Sequence, residues 1–395
     1  MDYAAATPVD ERVFSSMKKY LSVEYGNPGS IHSMGVRAKM AVEKSRKEIA
    51  TVLSCRPREI VFTSGGTEGD NLAIFGVTDA WREDHPGKNG HIIVSAIEHK
   101  AVLSLAKELE RRGFEITYLP VSKDGIVNLL DLRKALNQNT VLVSIMYANN
   151  EIGTVQPIKE VAKVIRHFRN SKIQSPKSKV FPYFHTDACQ APGALNLNVT
   201  QLGVDLMTIS GAKIYGPKGV GALYVKADIK ITSQIYGGGQ EFGLRSGTES
   251  VAYIVGLARA LVLAEEERDK ESQRITALRN YFIKKLEDIF PEVELNGSVA
   301  TRLPNNLNVY FPGILGEQLV IELDAIGVEV SVGSACHANG TRGSHVIWAI
   351  SQDSDRINGS VRFTLGRGTS KKDADFVLKN LRKIIDRLTY SLVRV

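Results

Sequence analysis

The sequence predicts an α/β protein: a large domain built on a mostly parallel sheet, followed by a smaller α+β domain. Three observations predict it. From about residue 37 to residue 225, short β-branched runs alternate with stretches of helical periodicity, the pattern of strands joined by crossover helices. A long helical stretch from Ser250 to Phe290 ends that alternation, and the remainder carries strand and helix patterns of its own. The chain has 395 residues, more than one hydrophobic core usually organises. We therefore expect a large domain over residues 11–268 and a small one over 269–395, with residues 1–10 packing on the small one.

In chain order, the expected strands of the first domain are EIVFTS (59–64), HIIVSAI (91–97), EITYLPV (115–121), TVLVSIMYA (140–148), YFHTDA (183–188), DLMTIS (205–210) and GALYV (221–225). Between them, KAVLSLAKELERRG (100–113) places Val102, Leu103, Ala106 and Leu109 on one helical face, and IKEVAKVIRHFRN (158–170) reads as a second helix. RNSKIQSPKSK (169–179) reads as a solvated surface loop. In the long helical stretch, Ile275, Leu278, Phe282, Leu286 and Ile289 recur at three- and four-residue spacing until Pro291 ends it. The second domain is expected to hold strands at NLNVYF (306–311), GVEVSV (327–332) and SVRFTLG (360–366). A helix then starts at Lys371, with Ser370 as its cap and Asp373 three residues on.

Composition narrows the function classes. Hydrophobic residues at 43% and charged residues at 24% are ordinary for a folded soluble protein and exclude collagen-like, disordered and disulfide-scaffold chains. The net charge of +7 is scattered, which suits an anionic ligand or acidic partner and does not call for nucleic acid. Cys55, Cys189 and Cys336 form no CxxC pair, so neither structural zinc nor a disulfide network is expected and a reducing compartment is. The opening MDYAAATPVDERV lacks the basic and apolar regions of a signal peptide, and the longest apolar run, residues 252–264, is broken by Arg259. A cytoplasmic protein without a membrane anchor is the expectation.

Ligands of open α/β sheets bind outside the carboxyl ends of the strands, so the residues there were collected first. They are Gly66 and Thr67, His99, Asn149 and Asn150, Asp187 and Gln190, and Ser210 and Lys213. TSGGTEGDN puts glycines and hydroxyls between a strand and a helix, where free backbone N–H groups can cradle a phosphate. Alone, it reads better as a glycine-rich turn with Thr67 as an ordinary N-cap. An acid and a lysine at neighbouring strand ends change that balance. Pyridoxal phosphate needs a phosphate cradle, a lysine for its aldehyde, a carboxylate on its pyridinium nitrogen and a flat group over its ring. Asp187 suits the nitrogen, although by itself it is equally a loop-capping aspartate. Lys213 lies in SGAKIYGPKG, whose glycines and proline fix the loop, with Lys218 nearby. His99 is either the ring cover and proton handler or a packed or surface imidazole.

Cys336 lies in SVGSACHANGTRGSH, whose Gly, Ser and Asn content reads as a mobile exposed loop. Cys55 and Cys189 read instead as packing groups. Cys336 is thus the thiol with a setting from which it could meet a substrate and carry cargo away. Metal binding by Cys336 with His337, or by His185 with Cys189, lacks a further ligand pair, and no metal is expected.

Taken together, DYAAATPVD, GNPGSIH, TSGGTEGDN, EHKAVL, NNEIG, TDACQ, SGAKIYGPKGVGALYV, GGGQEFGLRSGT, GSAC and VRFTLGR resemble, in order and over nearly the whole chain, the cysteine desulfurases of the NifS/IscS kind. These are class V aminotransferase-like members of the fold type I pyridoxal-phosphate enzymes. The resemblance implies that Lys213 holds pyridoxal 5'-phosphate, Gly66, Thr67 and Ser210 bind its phosphate, and His99 stacks on its ring. By the same resemblance Asp187 meets the ring nitrogen, Asn150 and Gln190 contact the cofactor and its hydroxyl, and Thr248 of RSGT serves the phosphate of the opposite subunit in a homodimer. Arg362 matches the arginine that pairs with the substrate carboxylate, a task suited to its bidentate geometry, and Asn150 is expected to bind the substrate as well. Arg367 is given a structural role, and Arg245 either the cofactor site or the interface.

The activity so implied converts L-cysteine to L-alanine, leaves the sulfur on Cys336 as a persulfide, and delivers it to a sulfur-acceptor protein, an iron–sulfur scaffold or a sulfur carrier. A class V aminotransferase would need the same cofactor groups but no travelling cysteine. A selenocysteine lyase would need nearly the same pocket, and a silent scaffold for sulfur carriers would need no catalytic groups. The sequence departs from the family in three places: Ala212 stands where a histidine is usual, the tail LTYSLVRV is short, and the loop at 169–179 is long.

Overall fold

The computed structural model describes residues 1–171, 181–333 and 343–392; Cys336, His337 and most of the expected surface loop lie outside the described residues. Seven strands, β1 (Ile60–Thr63), β2 (His91–Ser95), β3 (Glu115–Leu119), β4 (Thr140–Ser144), β5 (Tyr183–Asp187), β6 (Leu206–Ser210) and β7 (Gly221–Val225), form one sheet in the order β1-β7-β6-β5-β4-β2-β3. Neighbours from β6 to β3 pair in parallel, whereas β7 runs antiparallel to both β6 and β1. Every residue of β1, β2, β4, β5, β6 and β7 is buried. Helices on both faces exclude water from the sheet, so these strands are continuous apolar runs rather than alternating ones. Edge strand β3 buries fully only Leu119.

The sequence extends several strands past their observed carboxyl ends. Apolar residues continue there, but they belong to a different contact: Ile97, Met146 and Ile152 pack with Val346 and Ile347 of the helix His345–Ser351. Burial without pairing looks like strand in sequence. The chain thus leaves the sheet at the strand ends to build the floor of a cavity.

The helix Val251–Ile289 is 39 residues long and serves two cores. Its Ile254, Leu257 and Leu261 join the cluster beneath the large sheet, with Val13, Val42 and Ile49 of the helices Glu11–Ser22 and Ser33–Leu53. Its Ile275, Leu278, Phe282 and Leu286 join a second cluster with Leu307, Phe363 and Leu381. That cluster covers a three-stranded antiparallel sheet, β8 (Glu294–Leu295), β9 (Asn306–Tyr310) and β10 (Ser360–Thr364), in the order β10-β9-β8.

The expected strand at 327–332 does not form. Gly327, at φ 77°, closes the helix Gly316–Asp324 by donating to Asp324 O, and Val328 donates back to Leu323 O. Val328 and Val330 are therefore spent on the core, and only Ser331 meets the sheet, exchanging both backbone hydrogen bonds with Arg362. Residues 1–10 start at the edge of the small sheet, where Thr364 N–H donates to Met1 O, and finish on the loop of Lys213, where Asp10 N–H donates to Tyr215 O.

Candidate active site

A cavity opens at the carboxyl ends of β1, β2, β4, β5 and β6, and Arg362 closes it from the small sheet. Gly66, Thr67, His99, Asn150, Asp187, Gln190, Ser210, Lys213 and Arg362 line it, so the structure brings together nine of the residues singled out in the sequence. Thr248 does not; it is exposed on the loop after the turn Glu241–Gly243. Cys336 lies outside the described residues.

One end of the cavity is the start of the helix Gly66–Asp84, where no side chain caps the first turn. Ser64 N–H is satisfied by Glu68 Oε2 at 2.8 Å. A Cβ on Gly66 would stand 2.7 Å from Cys189 Sγ, so glycine alone lets this helix start approach the end of β5. Thr67 and Ser210 add hydroxyls to an uncapped turn, a combination suited to a phosphate. Arg245 pairs with Glu68 through Nε at 2.8 Å, which ties it to the helix start from outside the cavity lining.

At the centre, Asp187 ends β5 and its Oδ1 accepts the Cys189 N–H at 2.9 Å. Around it lies a layer of buried polar groups. His185 sits between Ser144 Oγ (2.8 Å) and Thr208 Oγ1 (3.0 Å), and burial pushes its imidazole down to about 4, so it is neutral. Burial, reinforced by Asp187, drives the Asp70 carboxyl well above the usual range. Burial likewise pushes Glu98 up to about 8. Glu98 is therefore largely protonated at neutral pH and adds little negative charge around Asp187. Burial also raises the Cys189 thiol far above its ordinary value.

His99 precedes the helix Lys100–Arg111 as its cap, and its Nδ1 accepts the Ala101 N–H at 3.2 Å. Burial lowers its pKa. The ring is then the neutral tautomer with its proton on Nε2, assigned from this hydrogen bond.

Lys213 ends the short turn Gly211–Lys213 after β6, and its Nζ donates to Ala4 O at 3.1 Å and Ala5 O at 2.5 Å. Gln190 Nε2 shares Ala4 O at 3.1 Å. Burial lowers the lysine pKa, which raises the share of free amine at a given pH. Lys218 donates instead to Thr7 O at 2.6 Å and is not part of the cavity lining. Arg367 is engaged elsewhere, with Asp10 at 2.8 Å, Glu267 at 3.0 Å and the Tyr215 ring beneath it. On β10, Arg362 gives Nη1 to Asn150 O at 2.9 Å and Nη2 to Asp2 Oδ1 at 2.7 Å.

Two acids of this region escaped the reading of the sequence. Asp70 stands four residues after Gly66, on the same helical face, and that spacing could have found it. Asp2 had no local signal, since its partner Arg362 is 360 residues away. Among the described residues, no group of three or more His, Cys, Asp or Glu is arranged to hold a metal ion, and no helix is long and apolar enough to cross a membrane.

Comparison with known proteins places this arrangement. Residues 1–377 match the aminotransferase class-V family. A cysteine desulfurase IscS of Dictyoglomus turgidum is 47% identical over 388 residues, covering 98% of this chain and 94% of that protein. A putative cysteine desulfurase IscS 1 of Bacillus subtilis is 42% identical over 390 residues, covering 98% and 99%. Among solved structures, a NifS-like protein superposes with a TM-score of 0.89 at 36% identity, covering 98% of this chain and 99% of that one. SspA in complex with cysteine gives a TM-score of 0.77 at 34% identity, covering 92% and 97%.

Proposed function

Because the chain belongs to the aminotransferase class-V family and, within it, to the cysteine desulfurases, we propose that it converts L-cysteine to L-alanine and passes the sulfur through Cys336 to an acceptor protein. The observation that carries this reading is the convergence of Lys213, Asp187, His99 and Arg362 on one cavity with an uncapped helix start at its end. The acceptor is an iron–sulfur scaffold or a sulfur carrier of tRNA or cofactor thiolation, and the setting is cytoplasmic.

The residues fit pyridoxal phosphate. The helix start needs glycine at residue 66 to exist where it does, and it offers N–H groups with Thr67 and Ser210 to a phosphate. Once bound, the cofactor supplies an aldehyde that joins amines and a ring that draws electrons from the substrate Cα. Asp187 would hold the proton on the ring nitrogen, Gln190 and Asn150 would contact ring substituents, and His99 would cover the ring. Arg362 receives the α-carboxylate. Lys213 accepts the Cα proton through Nζ, which its lowered pKa equips it to do. His99, whose Nδ1 is occupied by the backbone, has Nε2 left to assist proton transfer at the substrate thiol. The direct test is incubation with cysteine while alanine and protein-bound sulfane sulfur are measured together; neither appearing would end this reading. Competition between cysteine and selenocysteine separates it from a lyase specific for selenium.

Ala212 lines the cavity between Ser210 and Lys213. Restoring the histidine usual there should add one contact beside the phosphate. A charge-assisted hydrogen bond contributes roughly 1.5–3 kcal/mol, so Ala212→His is expected to lower the cofactor dissociation constant about ten- to a hundredfold. An unchanged constant in fluorescence titration would mean that another group already fills the place.

The homodimer belongs to the same reading. Exposed apolar residues Tyr236 (80%) and Phe242 (57%) precede Thr248 in the same stretch of chain, the kind of surface a partner copy covers. The holoenzyme is expected to sediment as a dimer. Mixing inactive Thr248→Ala and Lys213→Ala proteins should regain activity, since one site of each heterodimer would combine an intact lysine with an intact threonine. A cofactor-loaded monomer would rule the shared site out.

A further inference from the structure

Arg362 is held at two corners and left open at the third. Nη1 is taken by Asn150 O and Nη2 by Asp2 Oδ1, while Nε is buried and has no hydrogen-bond partner among the described residues. A buried guanidinium donor without a partner is costly and points to a ligand. A carboxylate can meet a guanidinium end-on, at the two Nη groups, or side-on, at Nε and one Nη. Here Asp2 and the Asn150 carbonyl take one Nη each and Nε has no partner, so the placement of this guanidinium rests on those two contacts.

Asp2 is built in rather than loosely placed. It bridges Thr364 in parallel register, Thr364 N–H donates to Met1 O at 2.8 Å, and Ala4 N–H donates to Thr364 Oγ1 at 3.0 Å. Ala5 N–H then returns to Asp2 O at 3.2 Å, closing a turn whose Ala4 and Ala5 carbonyls hold Lys213 Nζ. One short segment therefore fixes both the arginine and the lysine, the groups that would take the two ends of an α-amino acid. A side chain so anchored orients its partner; it does not move aside as a competitor would.

We propose that Asp2 is a positioning residue that holds Arg362 at the cavity wall as the receptor for the α-carboxylate of the amino-acid substrate. This rests on Arg362 being the carboxylate receptor of the proposed function. The test uses cofactor-loaded protein and calorimetry with L-alanine and with ethylamine, which lacks the carboxylate. Asp2→Ala should weaken L-alanine binding about tenfold and leave ethylamine within about twofold, whereas Asp2→Asn, which keeps a hydrogen bond, should stay within about threefold for both. In turnover, Asp2→Ala should raise the KM for cysteine with kcat nearly unchanged. Asp2→Glu, which keeps the charge and shifts it by one methylene, should also weaken alanine, so the inference stays testable if the alanine variant fails to fold. Asp2→Ala tightening alanine, leaving it unchanged, or weakening both ligands equally would overturn the inference, as would a wild type that binds alanine no better than ethylamine. A wild type that binds alanine through its carboxylate but makes no alanine from cysteine would instead sink the functional reading and leave Asp2 in place.

Discussion

Lys213→Ala is expected to abolish the borohydride-trapped cofactor adduct and to lower alanine formation from cysteine by about a thousandfold or more, since one residue supplies both the covalent hold and the base. The choice between the two lysines of SGAKIYGPKG rests on place, not type. Lys213 ends the turn after β6, reaches the cavity and has its pKa lowered by burial. Lys218, five residues on, spends its Nζ on Thr7 O. Around Lys213 the loop is tightly specified: a Cβ on Gly211 would stand 2.7 Å from Pro217 O, and Tyr215 N–H donates to Thr7 Oγ1 at 2.7 Å. Lys218→Ala should therefore keep the adduct, with at most a modest loss through the Thr7 contact. Mass spectrometry of the trapped, digested protein decides the matter; an adduct mapped to Lys218 would refute the assignment.

The large sheet was legible because its strands are buried on both faces and so stand out as apolar runs, and the rule that ligands gather at strand ends then named half of the residues that line the cavity. What stayed illegible has specific physical causes. Val328 and Val330 alternate like a strand but are spent on the core, because Gly327 turns the chain back at the end of a helix. β8 has two residues, too few for any period to register. Asp2 and Arg362 meet through tertiary contact across 360 residues. Asp70 and Glu98 look like ordinary helix and loop acids until burial, which sequence does not report, raises both carboxyl pKa values. Arg245 pairs with Glu68 across 177 residues, a contact that no local pattern announces.

Cys336→Ser is expected to keep the cofactor and to bind cysteine, yet to lose persulfide and lower turnover by about a thousandfold. Removing the Cα proton calls on Lys213 and Asp187, whereas taking sulfur from the substrate calls for a sulfur nucleophile, and a hydroxyl is a poor one. The other two cysteines are physically unsuited to substitute. Cys55 packs beside the core at the end of the helix Ser33–Leu53, where burial pushes its thiol up to about 12. Cys189 is the more serious rival, since it lines the cavity itself. Burial and then the charge of Asp187 hold its thiol protonated, and it lies against the helix start at Gly66. A thiol so held is a poor nucleophile, because the thiolate is the attacking form. Cys189→Ala should accordingly retain turnover within a few-fold of wild type, with any loss traceable to repacking beside Gly66. The two variants thus separate the cavity thiol from the one named by the sequence. Mapping sulfane sulfur after a single turnover provides the measurement: persulfide found on Cys189 in the Cys336→Ser protein, with alanine released at the wild-type rate, would transfer the acceptor role to the buried cysteine and leave the family's loop without a catalytic thiol.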